Sequence, residues 1–250
     1  DVISRSVPVQ VGSLTDWSVS EVGYYHSIFV KSNGTMWSCG NNNFGQLGDG
    51  TVILRSSPVQ VGSLTTWSAN RHHIAINGST NYAIKTDGTL WVWGRGFYGS
   101  IGNATDGIHY SSPLQIGSAT NWTAVAGHFQ IAMGIANGIL YAWNRNRSGC
   151  AGFDGNTTNH DAVAVNEKFS SPVQVGAMTN WYSIECSNEM SMGTTADGKL
   201  WAMGLNGKGQ LGLADVANRS SPTQVGSLTD WIGAQVGQQE SKSVKANGTL

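Results

Sequence analysis

Residues 58–94 carry Pro58-Val59-Gln60-Val61-Gly62, then Trp67, then Asp87-Gly88-Thr89-Leu90-Trp91-Val92-Trp93-Gly94. The same sentence is written five times along the 250 residues. All five prolines, Pro8, Pro58, Pro113, Pro172 and Pro222, open a Pro-x-Gln-x-Gly segment, and the intervals 8–58, 58–113, 113–172 and 172–222 are 50, 55, 59 and 50 residues. Nine positions after each proline stands a tryptophan: Trp17, Trp67, Trp122, Trp181, Trp231. An Asn-Gly or Asp-Gly pair follows at 33–34, 87–88, 137–138, 197–198 and 247–248. A second aromatic comes next at Trp37, Trp91, Tyr141 and Trp201, and then a glycine loop such as Gly45-Gln46-Leu47-Gly48.

One period reads as four strands. Strand A starts at the tryptophan and runs about six residues; B ends at the Asn-Gly or Asp-Gly pair; C follows it. That dipeptide accepts positive φ at both central positions, so a two-residue type I′ hairpin is expected. Strand D is the proline segment. Proline cannot donate to a ladder, so D is expected to begin at its proline and to lie at an edge. Four antiparallel strands per period of this length describe a propeller blade. A β-solenoid is the alternative, but its coils are shorter and lack the hairpin dipeptide. The fold expected is all-β, one propeller domain over 1–250, with repeats starting near 8, 58, 113, 172 and 222. Strand A should be innermost and the tryptophans that open it buried at equivalent positions.

Composition sets the outer limits. Net charge is -1 and charged residues are 12% of the chain, which gives no basic footprint for nucleic acid. The 33 glycines and 10 tryptophans fit many tight turns around a packed core, not disorder. The most apolar stretch, 131–143, is broken by Gly134, Asn137 and Gly138 and is too short to span a bilayer. Cys39, Cys150 and Cys186 match no metal or redox spacing and read as ordinary thiols.

The Ser-Pro-Val-Gln-Val-Gly segment, the run at 87–94 and Gly-Gln-Leu-Gly together resemble the regulator of chromosome condensation repeat, over essentially the whole chain. The resemblance implies a propeller, usually of seven blades. Only five periods are visible, and the first and last are incomplete, so the chain is expected to be part of a larger ring. The crisp repeats are similar to those of bacterial and bacteriophage surface members.

Comparing repeats within the chain separates scaffold from site. With alternating strands, the B–C and D–A connections share one face, and they are monotonous. The A–B and C–D connections share the other, and they differ from repeat to repeat. Candidate binding residues therefore lie in the A–B phase: Tyr24, Tyr25 and His26; His128, Phe129 and Gln130; Asn188, Glu189 and Met190; Gln238, Gln239 and Glu240. The second repeat shows Ser79-Thr80-Asn81 there, and an A–B lengthening expected around Arg71 adds His72 and His73. The C–D loops add Phe97 and Tyr98 and a long insertion from 153 to 169. Loops on a rigid scaffold carry recognition, and aromatic anchors are usual there.

Several motifs are deceptive. Gly94-Arg95-Gly96-Phe97-Tyr98-Gly99 matches a dinucleotide fingerprint, but no helix follows, so it reads as a C–D loop. The histidines and Glu189 and Glu240 share a phase that would allow a metal at the channel mouth; wet loop residues are the plainer reading. Asp154-Gly155-Asn156 and Asp161 imitate a calcium loop whose later positions fail. No cofactor and no catalytic set is expected. The tryptophans read as core, unlike the stacked sensors of some plant relatives.

The function expected is a non-enzymatic recognition or structural module, secreted or on a virion, such as a phage tail or attachment component. It would bind a protein or glycan partner through the A–B/C–D face, within a larger particle. Guanine-nucleotide exchange on a small GTPase, with chromatin docking, is the family's namesake role; its acting residues lie on loops that are not matched to this sequence, so none is carried over. A carbohydrate-active enzyme is the third reading.

Overall fold

A computed structural model describes residues 6, 7, 10, 15–153, 168–237 and 240–249. The calcium-like Asp154-Gly155-Asn156 and Asp161, the first proline segment's Pro8, and Gln238 and Gln239 lie outside them.

The described chain is all-β, with only two three-residue 3-10 turns, Arg71–His73 and Arg147–Gly149. Four sheets have four antiparallel strands each, joined in sequence order. Sheet 1 is β1 (Trp17–Val22), β2 (His26–Lys31), β3 (Met36–Gly40) and β4 (Arg55–Gln60). Sheet 2 is β5 (Ile74–Asn77), β6 (Thr80–Ile84), β7 (Leu90–Gly94) and β8 (Tyr110–Gln115). Sheet 3 is β9 (Trp122–His128), β10 (Ile131–Ala136), β11 (Ile139–Arg145) and β12 (Lys168–Gln174). Sheet 4 is β13 (Trp181–Cys186), β14 (Met190–Thr195), β15 (Leu200–Gly204) and β16 (Arg219–Gln224). Sheet 5 pairs β17 (Trp231–Val236) with β18 (Ser241–Lys245). The first strands of successive sheets pack on one another, β1 on β5, β5 on β9, β9 on β13 and β13 on β17. Strand A is therefore innermost and strand D outermost, the arrangement of propeller blades.

The repeated tryptophans keep one register. Trp17, Trp122, Trp181 and Trp231 face the last residue of strand B, at Lys31, Ala136, Thr195 and Lys245, and Trp67 bridges Lys85 in the same way. Trp67, Trp122 and Trp181 are buried, whereas Trp17 and Trp231 are half-buried. Between sheets 1 and 2 the core holds Ile28, Val30, Met36, Trp67 and Trp93; Tyr82, Ile84, Val92, Trp122 and Trp143 pack between sheets 2 and 3.

Three local expectations need correction. Only Asn137-Gly138 has positive φ at both residues (52° and 74°), as type I′ requires. At 33–34, 87–88, 197–198 and 247–248 the glycine alone is left-handed. There the turn closes over three residues, with the Gly34 N–H donating to the Lys31 carbonyl at 2.9 Å and the Lys31 N–H to the Thr35 carbonyl at 3.0 Å. Where a threonine follows the glycine, side-chain bonds support this closure. Asn33 Oδ1 accepts from the Thr35 amide and hydroxyl (3.1 and 2.8 Å), as Asp87 does from Thr89 (3.0 and 2.6 Å). Ile139, after Gly138, has no hydroxyl to offer.

Strand D begins before its proline: β4 opens at Arg55 and carries Pro58 inside it. Ser38 pairs with Val59 but Gly40 with Arg55, so the proline sits in a bulge where no ladder donor is needed. Finally, the extra residues of the second repeat do not lengthen the A–B turn. The chain leaves Trp67, makes the 3-10 turn at Arg71–His73, and resumes as β5. The Asn70 side chain accepts the His72 amide and Ser68 Oγ meets His73 Nδ1 at 2.7 Å, which holds the excursion inside strand A.

Candidate recognition face

The two faces of the ring are built differently. On the turn face, each B–C turn is bonded to the next sheet. The carbonyls of Gly34, Gly88, Gly138 and Gly198 accept the amides of Trp67, Trp122, Trp181 and Trp231 at 3.1, 3.1, 2.9 and 3.0 Å. A Cβ on Gly88 would lie 2.1 Å from the Thr120 carbonyl oxygen, so these turns leave no room for variation. The monotony of this face is the geometry of sheet-to-sheet contact.

On the opposite face, the end of strand C is tied to the A–B turn by backbone hydrogen bonds. An amide there is donated to the turn of the same sheet: by the first residue after the strand in sheets 1, 2 and 4, Asn41 to Tyr25, Arg95 to Ser79 and Leu205 to Glu189 at 2.8, 3.0 and 2.8 Å, and by the last residue of β11 in sheet 3, Arg145 to Gln130 at 2.8 Å. Backbone bonds tolerate any side chain, so these positions are free to differ. They carry asparagine, leucine and two arginines.

Sheets 1 to 3 bring an aromatic group together here. Tyr24 and Phe129, from the A–B turns of sheets 1 and 3, approach to 5.9 Å between ring centroids. They meet above Gly78, the A–B turn of sheet 2, whose missing Cβ leaves 3.7 Å to Tyr24 and 4.0 Å to Phe129. Gly78 also has φ +60°, which a side chain would strain. Phe97 and Tyr98 come in from the C–D loop of sheet 2, with Phe44 from sheet 1 at 6.5 Å from Phe97. Tyr24, Phe97, Tyr98 and Phe129 line a cavity of about 100 Å³ with Arg95 and Gln130. Tyr98 and Phe129 are both left-handed, at φ 61° and 33°. Such backbone is uncommon for aromatic residues, costs about 1–3 kcal/mol each, and concentrates at functional sites.

Two guanidiniums complete the group. The Arg95 carbon lies 4.5 Å from the Phe97 centroid and 5.1 Å from that of Phe44; the Arg145 carbon lies 4.5 Å from that of Tyr98. Arg145 Nη1 donates to Gln130 Oε1 at 3.1 Å. The Arg95 carbonyl is fixed by the hydroxyls of Thr80 (2.5 Å) and Ser100 (2.8 Å). His109 packs its ring 5.0 Å from both Phe44 and Phe97 and accepts the Gly96 amide on Nδ1 at 3.1 Å. Partial burial and the Arg95 charge hold His109 below the usual imidazole range. Gly96 is itself a departure. At this position sheets 1, 3 and 4 have Asn42, Asn146 and Asn206, whose Oδ1 atoms each accept a loop amide at 2.9 Å. In sheet 2 a Cβ there would lie 1.7 Å from the Ile108 carbonyl oxygen. The glycine that imitates a dinucleotide motif exists to let the C–D loop cross itself.

The remaining candidates are scattered. Tyr24, Tyr25, Phe97, Tyr98 and Phe129 are exposed on this face. His26 is not: it is 4% exposed, opens β2, and its Nε2 meets Asn81 Oδ1 of sheet 2 at 2.6 Å. Burial lowers its pKa, against the opposing pull of Asn81. Met190, in the equivalent position of β14, is 1% exposed and belongs to the core, which corrects its reading as an exposed anchor. Both open a strand, one residue past the turn. His128 is half-buried, with its pKa lowered by that burial, and Gln130 is buried beneath Arg145. Asn188 and Glu189 are half-buried in the turn of sheet 4, and Glu240 is exposed in that of sheet 5. His72 lies on the channel wall and His73 beside Ser68, both away from the A–B turns, because their insertion falls within strand A. His72 lines a channel cavity of about 420 Å³ with Asn70, Thr123, Tyr182, Glu185 and Ile232. Burial, reinforced by Glu21 and opposed by Arg71, pushes the Glu185 carboxyl up to about 7. Among the described residues no three His, Cys, Asp or Glu side chains are grouped to hold a metal ion. No described helix is long and apolar enough to cross a membrane.

Phe44, Arg95, Arg145 and His109 are absent from the sequence-derived set. The signal for the arginines was available. They occupy one repeat phase at the end of strand C, which differs in character between sheets.

The fold and this face together define a β-propeller with a uniform turn face and a diversified loop face. Profiles of the regulator of chromosome condensation (RCC1) repeat match residues 18–46, 33–71 and 197–241 of this chain. The chain is 27% identical over 218 residues to a human protein named as a probable E3 ubiquitin-protein ligase, HERC4, covering 85% of this chain and 20% of that protein. The chain thus spans about a fifth of that relative's length. Among solved structures, Prp20p of Saccharomyces cerevisiae, described with its binding properties to Gsp1p and histones, superposes with a TM-score of 0.76 at 20% identity, over 96% of this chain and 58% of that one. Human WBSCR16 does so with a TM-score of 0.74 at 19% identity, over 92% and 57%.

Proposed function

We propose that this chain is a non-enzymatic binding module that recognises a partner protein through the A–B/C–D face of sheets 1 to 3. The observation that carries this is the convergence of Tyr24, Phe97, Tyr98 and Phe129, from three successive sheets, around one cavity. Exposed aromatic residues clustered at a depression are the usual anchors of protein interfaces. The structural neighbour Prp20p, described as binding Gsp1p and histones, supports a protein partner rather than a glycan. Placement outside the cell or on a virion rests on composition and repeat style alone.

The test is an array of proteins and glycans probed with the chain and with a Tyr24→Ala/Phe129→Ala variant. Binding to a protein that the variant loses, with an unchanged melting curve, supports the reading. Binding that survives the variant, or that a turn-face change such as Thr65→Arg abolishes, overturns it. Likeness to Prp20p also keeps a regulator of a small GTPase as a second reading. Faster nucleotide release from a GTPase in the presence of the chain would favour it.

A further inference from the structure

Resting on that reading of the face, we infer that the arginine–aromatic group of sheets 1 to 3 receives an acidic side chain of the partner polypeptide, a Glu or Asp carboxylate flanked by an apolar residue. The argument begins with how other arginines near the loop face are used. Arg55 and Arg219, which open the D strands of sheets 1 and 4, are each paired with a loop aspartate, Asp49 and Asp215. In sheet 2 the corresponding loop acid, Asp106, is taken by Lys168 of sheet 3. Arg95 and Arg145 have no carboxylate partner among the described residues.

Arg95 is the one charged residue lining the cavity, and its Nε is buried with no hydrogen-bond partner. An unmade hydrogen bond at a buried charged group is costly, about 1–3 kcal/mol or more, and a ligand acceptor removes that cost. The aromatic rings define which ligand fits. Phe97 and Phe44 lie against the Arg95 guanidinium, and Tyr98 lies against that of Arg145. Rings set against a guanidinium do not take up its N–H groups, a fork that matches the two oxygens of a carboxylate. The same rings exclude water, so the pair forms in a lower dielectric than at an open surface. Tyr24, Tyr25 and Phe129, exposed beside the cavity, supply the apolar contact for the flanking residue.

A display library of short random peptides, selected on the chain, tests this directly. The expected result is enrichment of Asp or Glu next to aromatic or aliphatic residues. Arg95→Gln and Arg145→Gln should each weaken the selected peptides at least tenfold, a loss of about 1.4 kcal/mol. Arg95→Lys should restore only part of the loss, because an ammonium lacks the fork. Unchanged melting curves identify the loss as one of contact. Selected peptides without acidic residues, lost with Tyr24→Ala but not with Arg95→Gln, overturn the carboxylate and leave the face reading standing. Peptides indifferent to all these changes, or no enrichment at all, overturn both. Tighter binding of the same peptides with phosphoserine replacing the acid would assign the site to phosphate and overturn the inference.

Discussion

The carbonyl of Gly34 accepts the amide of Trp67 at 3.1 Å, so a turn in one sheet holds the first residue of the next. The contact recurs at Gly88 and Trp122, Gly138 and Trp181, and Gly198 and Trp231. It explains why the same short dipeptide returns in every period: the glycine allows a left-handed turn and also the approach of a neighbouring backbone.

Gly88→Ala should separate those two demands. Its Cβ would meet the Thr120 carbonyl oxygen at 2.1 Å in addition to a φ of +78°. Gly117 has φ +59° and nothing within 4 Å of an added Cβ. Gly117→Ala is expected to cost about 1–2 kcal/mol from the left-handed backbone alone. Gly88→Ala should cost clearly more. Urea denaturation of both variants makes the comparison; equal losses would show that the inter-sheet contact is slack.

Trp122→Ala should destabilise by about 3–5 kcal/mol, as expected for a buried aromatic whose removal leaves a cavity. Trp231 occupies the equivalent register but is half-buried, so Trp231→Ala should cost less. The order of the two chemical-denaturation midpoints is the check.

Met190→Ala and Tyr25→Ala form a second pair. Met190 is 1% exposed and Tyr25 79%. The first change should lower stability by about 2–5 kcal/mol. The second should fall within about 0.5 kcal/mol of the parent, with any effect confined to binding. A thermal melt of each distinguishes core from face.

The Glu185 carboxyl gives a pH dependence of definite sign. Its folded pKa, raised to about 7 chiefly by burial, lies above the ordinary 4.5 of the unfolded chain. The folded state therefore holds its proton more tightly. The contribution to stability is complete below about pH 4.5 and is lost as pH rises toward about 7. Glu185→Gln should flatten that fall in a pH series of melting temperatures. A slope identical to that of the parent would show that the channel carboxylate does not titrate in this window.

The propeller was legible because its two signals are independent: a period marked by proline and tryptophan, and a hairpin dipeptide within each period. The turn type was not: the same three-residue closure recurs with Thr35, Thr89 or Lys199 after the glycine, so the two-residue motif does not decide it. His72 and His73 were misplaced for a topological reason. Repeat length reveals that residues were added, not whether they extend a loop or bulge a strand. His26 and Met190 were one residue past the turn, where a side chain reverses from loop to core. The arginines escaped notice because rings draw attention to themselves, whereas a guanidinium becomes informative only once its neighbours are known to be aromatic and not acidic.

Gly78 is the hub on which Tyr24 of sheet 1 and Phe129 of sheet 3 come together, so the aromatic side chains that crowd the cavity belong to three successive sheets. A ligand resting on all of them acts as a clamp on the angular spacing of three blades. Binding and the packing of these three sheets then become one equilibrium: they should melt at a temperature that climbs with ligand concentration. The propeller's own unfolding would report occupancy, with no label attached to either molecule.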